Sequence, residues 1–267
     1  MLDVNVTAGK VQAYSVNLAA RDKSLDLIKW LALVTMVIDH LRILMPDTLS
    51  WTVVPGRAAF PLFALILAAN VLRQPQGRWK TRTNSRYLMM LATFALISQP
   101  GYGYAWKHSA GNILFTLLLG LLLVLMVRHG KSNKASFLGA ATLIIPVCLI
   151  SDNLEYGLSG VLLPSAFLMA LQKVGKVWWL LPAMLAAMAN TSDFETGLAL
   201  IIIPLQIIDM GEAKIYLELL VAIGGSLLGL WIKEKRLSLD IPPVGSWGYA
   251  FYPAHMGLLV LVHAAFT

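Results

Sequence analysis

Long apolar runs, separated by short polar connections, recur along the whole sequence. A helix of about 20 apolar residues crosses the hydrocarbon core of a bilayer, so such runs are typical of transmembrane helices. Several runs here are nearer to about 15 residues, which indicates short, tilted or re-entrant helices. We therefore predict an all-α, polytopic integral membrane protein with about ten transmembrane helices. The predicted segments are 25–46, 51–72, 86–101, 112–128, 135–151, 156–172, 177–190, 196–209, 215–232 and 246–266.

The composition agrees with a membrane protein. Hydrophobic residues make up 58% of the 267 positions and charged residues only 13%, whereas a soluble domain carries about 25% charged residues. Apolar runs leave no room for a second, soluble domain, so residues 25–267 are predicted to form a single transmembrane domain after a short cytoplasmic tail at 1–24. The one cysteine, Cys148, excludes an internal disulfide and any cysteine-rich metal site, and no metal is predicted.

The positive charges fall between the apolar runs, where the positive-inside rule places them on the cytoplasmic side. Membrane topology therefore explains the net charge of +7 better than binding to nucleic acid, which is not predicted. The tail and the connections at 73–86, 128–134 and 173–176 are basic and alternate with weakly charged or acidic ones, which puts both termini in the cytoplasm. In this ten-helix arrangement the connection at 233–236 lies on the extracytoplasmic side, although it is basic. Either the helix count is off by one late in the chain, or this connection has a local role.

The first apolar run ends in an adjacent acid and imidazole, Asp39 and His40. A charged side chain at membrane depth costs roughly 2.5–3.5 kcal/mol on insertion scales, so such groups are usually functional. Histidine gains and loses a proton near neutral pH. Lys29 precedes His40 by eleven residues, which places the two within about 20° of one helical face and roughly 16 Å apart. The pattern favours proton-transfer chemistry inside the membrane; the alternative is a polar helix end wetted by interfacial water.

Arg57 opens the second run, one turn before Pro61. A guanidinium forms paired hydrogen bonds with a carboxylate or a phosphate. Arg57 is therefore predicted either to pair with Asp39 and hold two helices together, or to contact a ligand directly. Asn112 opens the fourth run, where an asparagine is most often a simple helix cap.

The last run carries Tyr252 and His255, three residues apart on one helical face. Both are candidate site residues. The alternatives are an interfacial aromatic ring for Tyr252 and a hydrogen bond between helices for His255.

Five cations crowd the connection at 73–86. Anionic lipid headgroups are one partner for such a cluster, and a phosphorylated cofactor such as coenzyme A is the other. The candidate cofactor-binding residues are Lys29, Arg73, Arg78, Lys80, Arg82 and Arg86.

These motifs together resemble the TraX family, the membrane N-acetylases of conjugative pilin. Their order and spacing run from residue 26 to residue 258. The motifs are residues 26–40, 56–65, 111–115 and 156–160, and Phe251-Tyr252 with His255. The family is similar to a wider group of ten-helix membrane acyltransferases. In one branch of that group, acyltransferase-3, an arginine precedes the first-helix histidine by eleven residues, the position that Lys29 holds here.

The resemblance implies an acetyl-CoA-dependent membrane N-acetyltransferase in the bacterial inner membrane, with residues 25–267 as its acyltransferase-like domain. Acetyl-CoA would be the acyl donor, and the N-terminal amine of a pilin-type membrane protein the acceptor. His40 would act as general base, oriented by Asp39. The donors to the oxyanion would come from Arg57, Asn112, Tyr252 or His255.

Two other functions stay open on the sequence alone. One is a proton-coupled membrane transporter, in which Asp39 and His40 relay protons and Arg57 binds an anion. The sequence lacks the internal repeat that many transporters have. The other is a non-catalytic pilus-assembly membrane protein, in which the polar residues only hold helices together.

Overall fold

The computed structural model describes residues 21–75, 81–107, 110–130, 134–191, 210–237 and 239–266. Across these residues the fold is a bundle of helices joined by short connections. The helices are α1 Lys23–His40, the single turn α2 Val53–Gly56, α3 Ala59–Leu72, α4 Arg82–Trp106, α5 Ile113–Gly130, α6 Lys134–Leu149, α7 Gly157–Gln172, α8 Leu180–Met188, α9 Met210–Lys235 and α10 Trp247–Phe266.

Nine of the ten segments predicted from the apolar pattern coincide with these helices, α2 and α3 together forming the second. The tenth, 196–209, lies outside the described residues. Within the part of the chain that the structure describes, three helical stretches are long and apolar enough to cross a membrane: Ser50–Leu72, Ala213–Lys235 and Trp247–Phe266. The all-α class is confirmed and the protein has the helices of a membrane protein, whereas the number of crossings stays a prediction.

Helix α3 occupies the centre of the bundle and packs against α1, α5, α7 and α9. It is apolar except for Asn70 in its last turn, and Phe60, Ala64 and Leu65 are fully buried. A helix that is hydrophobic all round belongs in an interior. Helix α9 approaches closely because Gly225 and Gly229 face α3 and the residue before it; a side chain at Gly229 would collide with Leu65.

The basic connections gather at one end of the bundle, called the basic end from here on. Arg128 at the end of α5 donates to the carbonyl oxygen of Leu72 at the end of α3. Lys233 near the end of α9 forms an ion pair with Asp22, which caps the start of α1. Burial acts to raise the pKa of Asp22, but the hydrogen bonds from Lys233, Ser24 and the backbone of Leu25, together with the charge of Lys233, outweigh burial and lower the pKa. The clustering of cations at one end is what the positive-inside rule predicts.

The connection at 233–236 lies beside the start of α1. The chain just beyond it is tied to the start of α1, since the Trp30 indole donates to the Pro242 carbonyl at 2.9 Å and Lys23 pairs with Asp240 at 3.1 Å. These bonds hold the connection at the basic end with the other basic segments. The number of crossings late in the chain stays a prediction.

The expectation that both ends of the chain share one side of the membrane stays a prediction, but the first and last described helices have a defined relative direction. Helices α1 and α10 run in the same direction, because Trp30 meets Trp247 at a ring distance of 5.8 Å and, further along both helices, His40 meets His255. Phe266 at the end of α10 therefore lies at the opposite end of the bundle from Asp22. We call this opposite end the distal end.

Candidate active site

Two histidines from distant parts of the sequence form the centre of the site. His40 is the last residue of α1, and its Nδ1 lies 2.6 Å from Nε2 of His255 in α10. The planes of the two rings lie within 14° of each other and the centroids are 4.9 Å apart, the edge-to-edge arrangement of an in-plane hydrogen bond. Both side chains are buried in the bundle. The sequence predicted both residues as site candidates, and the structure brings them into direct contact.

The hydrogen bonds of this pair fix which nitrogen carries a proton. Nδ1 of His255 lies 2.8 Å from the carbonyl oxygen of Phe251. A carbonyl only accepts, so this nitrogen is the donor, and Nε2 of a neutral His255 is then an acceptor. His40 must in turn donate from Nδ1, which leaves the lone pair on its Nε2. The arrangement therefore presents His40 Nε2 as the basic atom of the pair.

Aromatic rings enclose His40. Tyr252 meets it edge-on at a centroid distance of 6.0 Å, and Trp106 lies at 6.2 Å. The guanidinium of Arg42 sits 4.2 Å above the Trp106 ring, a cation–π contact. The rings restrict the access of water to the imidazole, which strengthens electrostatic effects there.

Asp39 lies beside the basic nitrogen. Its Oδ2 is 3.8 Å from His40 Nε2, and its Oδ1 is 3.3 Å from Nε of Arg42. The turn α2 presses against this carboxylate, and a Cβ added to Gly56 would lie 2.4 Å from the Asp39 Cβ. The glycine of the second sequence motif is thus explained, since any side chain there would displace Asp39.

Arg57 pairs with a residue that the sequence analysis did not consider. Its Nε donates to Oε2 of Glu218 in α9 at 2.8 Å, and Tyr156 also hydrogen-bonds to it. Among the described residues, the guanidinium that forms an ion pair with Asp39 is that of Arg42. Arg57 affects Asp39 only through long-range electrostatics. The expected Arg57–Asp39 pair is therefore wrong, because the side chain of Arg57 reaches towards α9 instead of α1.

Asn112 acts as a helix cap. Its Oδ1 accepts from the backbone N–H of Leu114 at 3.0 Å. Its amide nitrogen donates to the Ala95 carbonyl and to Gln99 Oε1, at 2.8 and 2.9 Å. Both amide hydrogens are thus used to join α5 to α4. Asn112 keeps none for an oxyanion, so the capping alternative is correct.

Glu155 lies in the connection before α7 and faces the same region. Its carboxylate accepts from the Tyr102 hydroxyl. Its backbone is fixed on both sides, by a bond from its N–H to the Gly111 carbonyl and one from Thr116 to its own carbonyl. Burial raises the pKa of the Glu155 carboxyl, and the field of Arg57 opposes that rise.

Five charged side chains therefore share the distal end of the site. We refer to them as the distal cluster. They are Asp39, Arg42, Arg57, Glu155 and Glu218.

A cavity of about 690 Å³ leads from the basic end towards the histidine pair. Its polar part is lined by Lys29, Arg73 and Arg86, and its far part by Tyr252 and by apolar side chains of α3 to α5. Lys29 is held there by Asp26 at 3.3 Å and by a backbone carbonyl. A volume of this size is usual for small-molecule sites, which run from roughly 300 to 1,000 Å³.

Three of the six candidate cofactor-binding cations thus line one cavity. Arg82, at the start of α4, is exposed and lies outside its wall. Arg78 and Lys80 lie outside the described residues.

Sequence reasoning missed three members of the distal cluster. Glu218 is a lone acid in an otherwise apolar stretch of α9, and Arg42 follows the Asp-His pair by two positions. Both are charged residues within or next to a predicted membrane segment, which is the sequence pattern that could have identified them as site candidates. Glu155 stands in a connection that reads as an ordinary acidic loop, so nothing local distinguished it.

Fold and site define a helical membrane protein with an ionisable site buried in its bundle. The chain belongs to the TraX family, since the family described as TraX protein matches residues 24–263. It is similar to Protein TraX of Escherichia coli, at 29% identity over 141 residues, and to Protein TraX of Escherichia coli strain K12, at 30% over 141. Each alignment covers 52% of this chain and 52% of the relative.

A third relative is the probable fimbrial assembly protein FimC, serogroup H1, of Dichelobacter nodosus. It is 29% identical over 120 residues, which cover 39% of this chain and 46% of that protein. The chain thus aligns with about half the length of the curated relatives that it matches. No solved structure matches it.

Proposed function

We propose that the protein is a membrane N-acetyltransferase that moves an acetyl group from acetyl-CoA to a primary amine. The observation that carries the proposal is the cavity that joins three cations at the basic end to Tyr252, whose ring contacts both histidines of the pair. A cationic mouth suits the phosphates of coenzyme A. The apolar part suits its pantetheine arm, which would carry the thioester towards His40.

The basic end would face the cytoplasm of a bacterium whose inner membrane the bundle crosses several times. The clustering of basic connections there supports this orientation. Acetyl-CoA is made and kept in the cytoplasm, so the donor would enter from the side where the cations lie. Anionic lipid headgroups would contact the exposed cations at the same end, such as Arg82.

His40 would serve as the general base. Its Nε2 carries the lone pair because His255 accepts the proton on Nδ1, and Asp39 at 3.8 Å from Nε2 stabilises the imidazolium once it forms. Proton transfer by a positioned group of this kind contributes roughly 10²–10⁴-fold to rate. His255 is then a positioning residue, and the role of oxyanion donor falls to the Tyr252 hydroxyl.

The reaction balances with these groups alone. The neutral amine attacks the thioester carbonyl carbon, a C–N bond forms, and the proton lost by the nitrogen goes to His40 Nε2. The C–S bond then breaks, and the leaving thiolate takes that proton and departs as the thiol of coenzyme A. The products are an amide and free coenzyme A.

The acceptor follows from the family resemblance. It would be the N-terminal amine of a pilin-type membrane protein, and the similarity to a probable fimbrial assembly protein supports a role in pilus assembly. A membrane-bound substrate of this kind would reach the histidine pair from the distal half of the bundle, where the pair lies.

The experiment that tests the proposal uses the purified protein in detergent with acetyl-CoA and a short peptide amide that begins with alanine. We expect release of the coenzyme A thiol that depends on the peptide, together with a peptide heavier by about 42 Da, the mass that acetylation adds. Thiol release without an acetylated peptide would indicate hydrolysis, and neither product would contradict the proposal.

A further inference from the structure

Three polar side chains lie in the wall of the cavity, one from each of three helices. They are Asn70 of α3, Tyr87 of α4 and Tyr249 of α10, and we refer to them as the polar rung. Asn70 precedes Arg73 by three residues, and Tyr87 directly follows Arg86. The polar rung therefore lies about one helical turn inside the cationic mouth of the cavity.

Hydrogen bonds and ring contacts hold the polar rung together. The Tyr87 hydroxyl is hydrogen-bonded to the side chains of Asn70 and Tyr249. The rings of Tyr87 and Tyr249 meet edge-on with centroids 5.9 Å apart, and the ring of Phe94 stacks on that of Tyr249 at 6.4 Å. These contacts fix the polar groups before a ligand arrives, which lowers the entropic cost of binding.

The polar rung suits an amide group of a ligand. A side-chain amide has two N–H donors and an oxygen that accepts two hydrogen bonds, and the bond to Tyr87 uses one of these positions at Asn70. An amide of a ligand offers one donor and one acceptor, so it complements Asn70 on both counts. Deeper than the polar rung, the lining of the cavity is apolar as far as Tyr252. A few polar groups in an otherwise apolar pocket fix the position of a ligand.

The depth of the polar rung matches one part of the donor. On α10, Tyr249 lies six residues before His255, so the polar rung and the histidine pair are about 9 Å apart along the helix axis. The pantetheine arm of coenzyme A contains two amides, of which the outer one is nearer to the phosphates. Seven bonds separate the sulphur from the nitrogen of the outer amide, and three bonds separate it from that of the inner amide. At roughly 1.2 Å per bond in an extended chain, these paths span about 8 and about 4 Å. The outer amide thus reaches the polar rung when the thioester reaches His40.

We infer that the polar rung binds the outer amide of the donor's pantetheine arm and thereby sets the depth at which the thioester stops. Asn70 pairs with the amide, while Tyr87 and Tyr249 hold Asn70 in the required orientation. The inference rests on the proposed function and adds the means by which the site selects its donor. The acyl group has to lie one fixed distance beyond an amide, so a thioester without that amide enters the cavity but is not held beside His40.

The test compares two donors that lack phosphates. S-Acetylpantetheine carries both amides, whereas S-acetyl-N-acetylcysteamine carries only the inner one. Acetyl transfer from each donor to a peptide amide that begins with alanine is measured with the full-length protein in detergent. Binding of the corresponding thiols, pantetheine and N-acetylcysteamine, is measured separately by calorimetry. We expect the wild-type protein to bind pantetheine at least about tenfold more tightly and to use its thioester with a kcat/KM higher by a similar factor, as the additional hydrogen bonds imply.

The decisive variant is Asn70→Leu, which is close in size but removes the amide. We expect it to lower the affinity for pantetheine and the kcat/KM for S-acetylpantetheine about tenfold, and to leave both values unchanged for the shorter compounds.

Tyr249→Phe is a milder second variant, which removes one hydroxyl group and keeps the ring. It should lower the same two values about threefold. The matched control is Tyr104→Phe, since Tyr104 is an exposed tyrosine of α4. This control should leave binding and kinetics unchanged.

The outcomes separate this inference from the proposed function. If the peptide is acetylated and Asn70→Leu changes the kcat/KM of both donors equally or of neither, the polar rung is not the amide site and the acetyltransferase stands. If no acetylation occurs but pantetheine binds in a manner that depends on Asn70, the amide site stands and the enzyme assignment fails. Equal binding of pantetheine and N-acetylcysteamine to the wild-type protein overturns the inference.

Discussion

Nδ1 of His40 lies 2.6 Å from Nε2 of His255, and Nδ1 of His255 is bound to the carbonyl of its own helix at Phe251. This chain of two hydrogen bonds begins at a backbone atom that cannot change its role. It therefore sets the tautomer of both rings and places the free lone pair on His40 Nε2. A helix turn of α10 thus determines which ring nitrogen of His40 carries the lone pair.

The first prediction concerns His255 as a positioning residue. Replacement by alanine removes the acceptor for His40 Nδ1 and should lower kcat for acetyl transfer about hundredfold, with the KM for acetyl-CoA unchanged. His255→Gln should recover part of kcat, because its side-chain oxygen can accept the same hydrogen bond. Steady-state kinetics of the purified variants check both expectations.

His263→Ala, two turns further along α10, is the control and should retain wild-type kcat. If His255→Gln is no more active than His255→Ala, the hydrogen bond to His40 does not explain the role of His255.

The second prediction concerns the contact between Gly56 and Asp39. A Cβ at Gly56 would lie 2.4 Å from the Asp39 Cβ, so Gly56→Ala forces α1 and α2 apart. Overpacking of this kind costs about 1–3 kcal/mol. We expect a lower midpoint of thermal unfolding and reduced acetyl transfer, because Asp39 moves relative to His40.

Gly224→Ala is the matched control, since no atom lies within 4 Å of the Cβ it would add. It should unfold at the wild-type temperature or slightly above. Equal unfolding temperatures for both variants would refute the importance of the close approach at Gly56.

The sequence pattern predicted most of the helices because each apolar run has to satisfy its own backbone within the membrane. It also selected His40, Asp39 and His255, since ionisable groups at membrane depth are rare. It could not predict that His40 and His255, 215 positions apart, touch, because that contact depends on the packing of α1 against α10. The wrong partner for Arg57 has the same origin: proximity in sequence favoured Asp39, whereas packing of α9 supplies Glu218.

The third prediction concerns the orientation of α10. Its parallel course with α1 requires residues 239 and 266 to lie on opposite sides of the membrane. In a background with Cys148 replaced by alanine, we expect a membrane-impermeant maleimide to label Phe266→Cys in intact spheroplasts. Leu239→Cys should react only after the membrane is permeabilised. Labelling of both positions from the same side would contradict the orientation.

The fourth prediction concerns the cationic part of the cavity. Arg86 lines it, so Arg86→Gln should raise the KM for acetyl-CoA about three- to tenfold and leave kcat nearly unchanged, because it removes only binding to the phosphates. Part of that loss should disappear when the donor is acetyl-dephospho-CoA, which lacks the 3′-phosphate.

Lys134→Gln, an exposed cation at the same end of the bundle, serves as the control for general effects of charge. An equal rise in KM for both variants would show that the net charge of the basic end matters and the cavity does not.

The most direct test of the central claim is the intact mass of the acceptor pilin from membranes that contain either wild-type protein or His40→Ala at equal, correctly inserted amounts. We predict that the wild-type protein adds about 42 Da to the pilin, the mass of one acetyl group, and that His40→Ala leaves it unmodified. A pilin acetylated to the same extent by both proteins would contradict the assignment of His40 as the base, and one unmodified by the wild-type protein would contradict acetyl transfer to pilin.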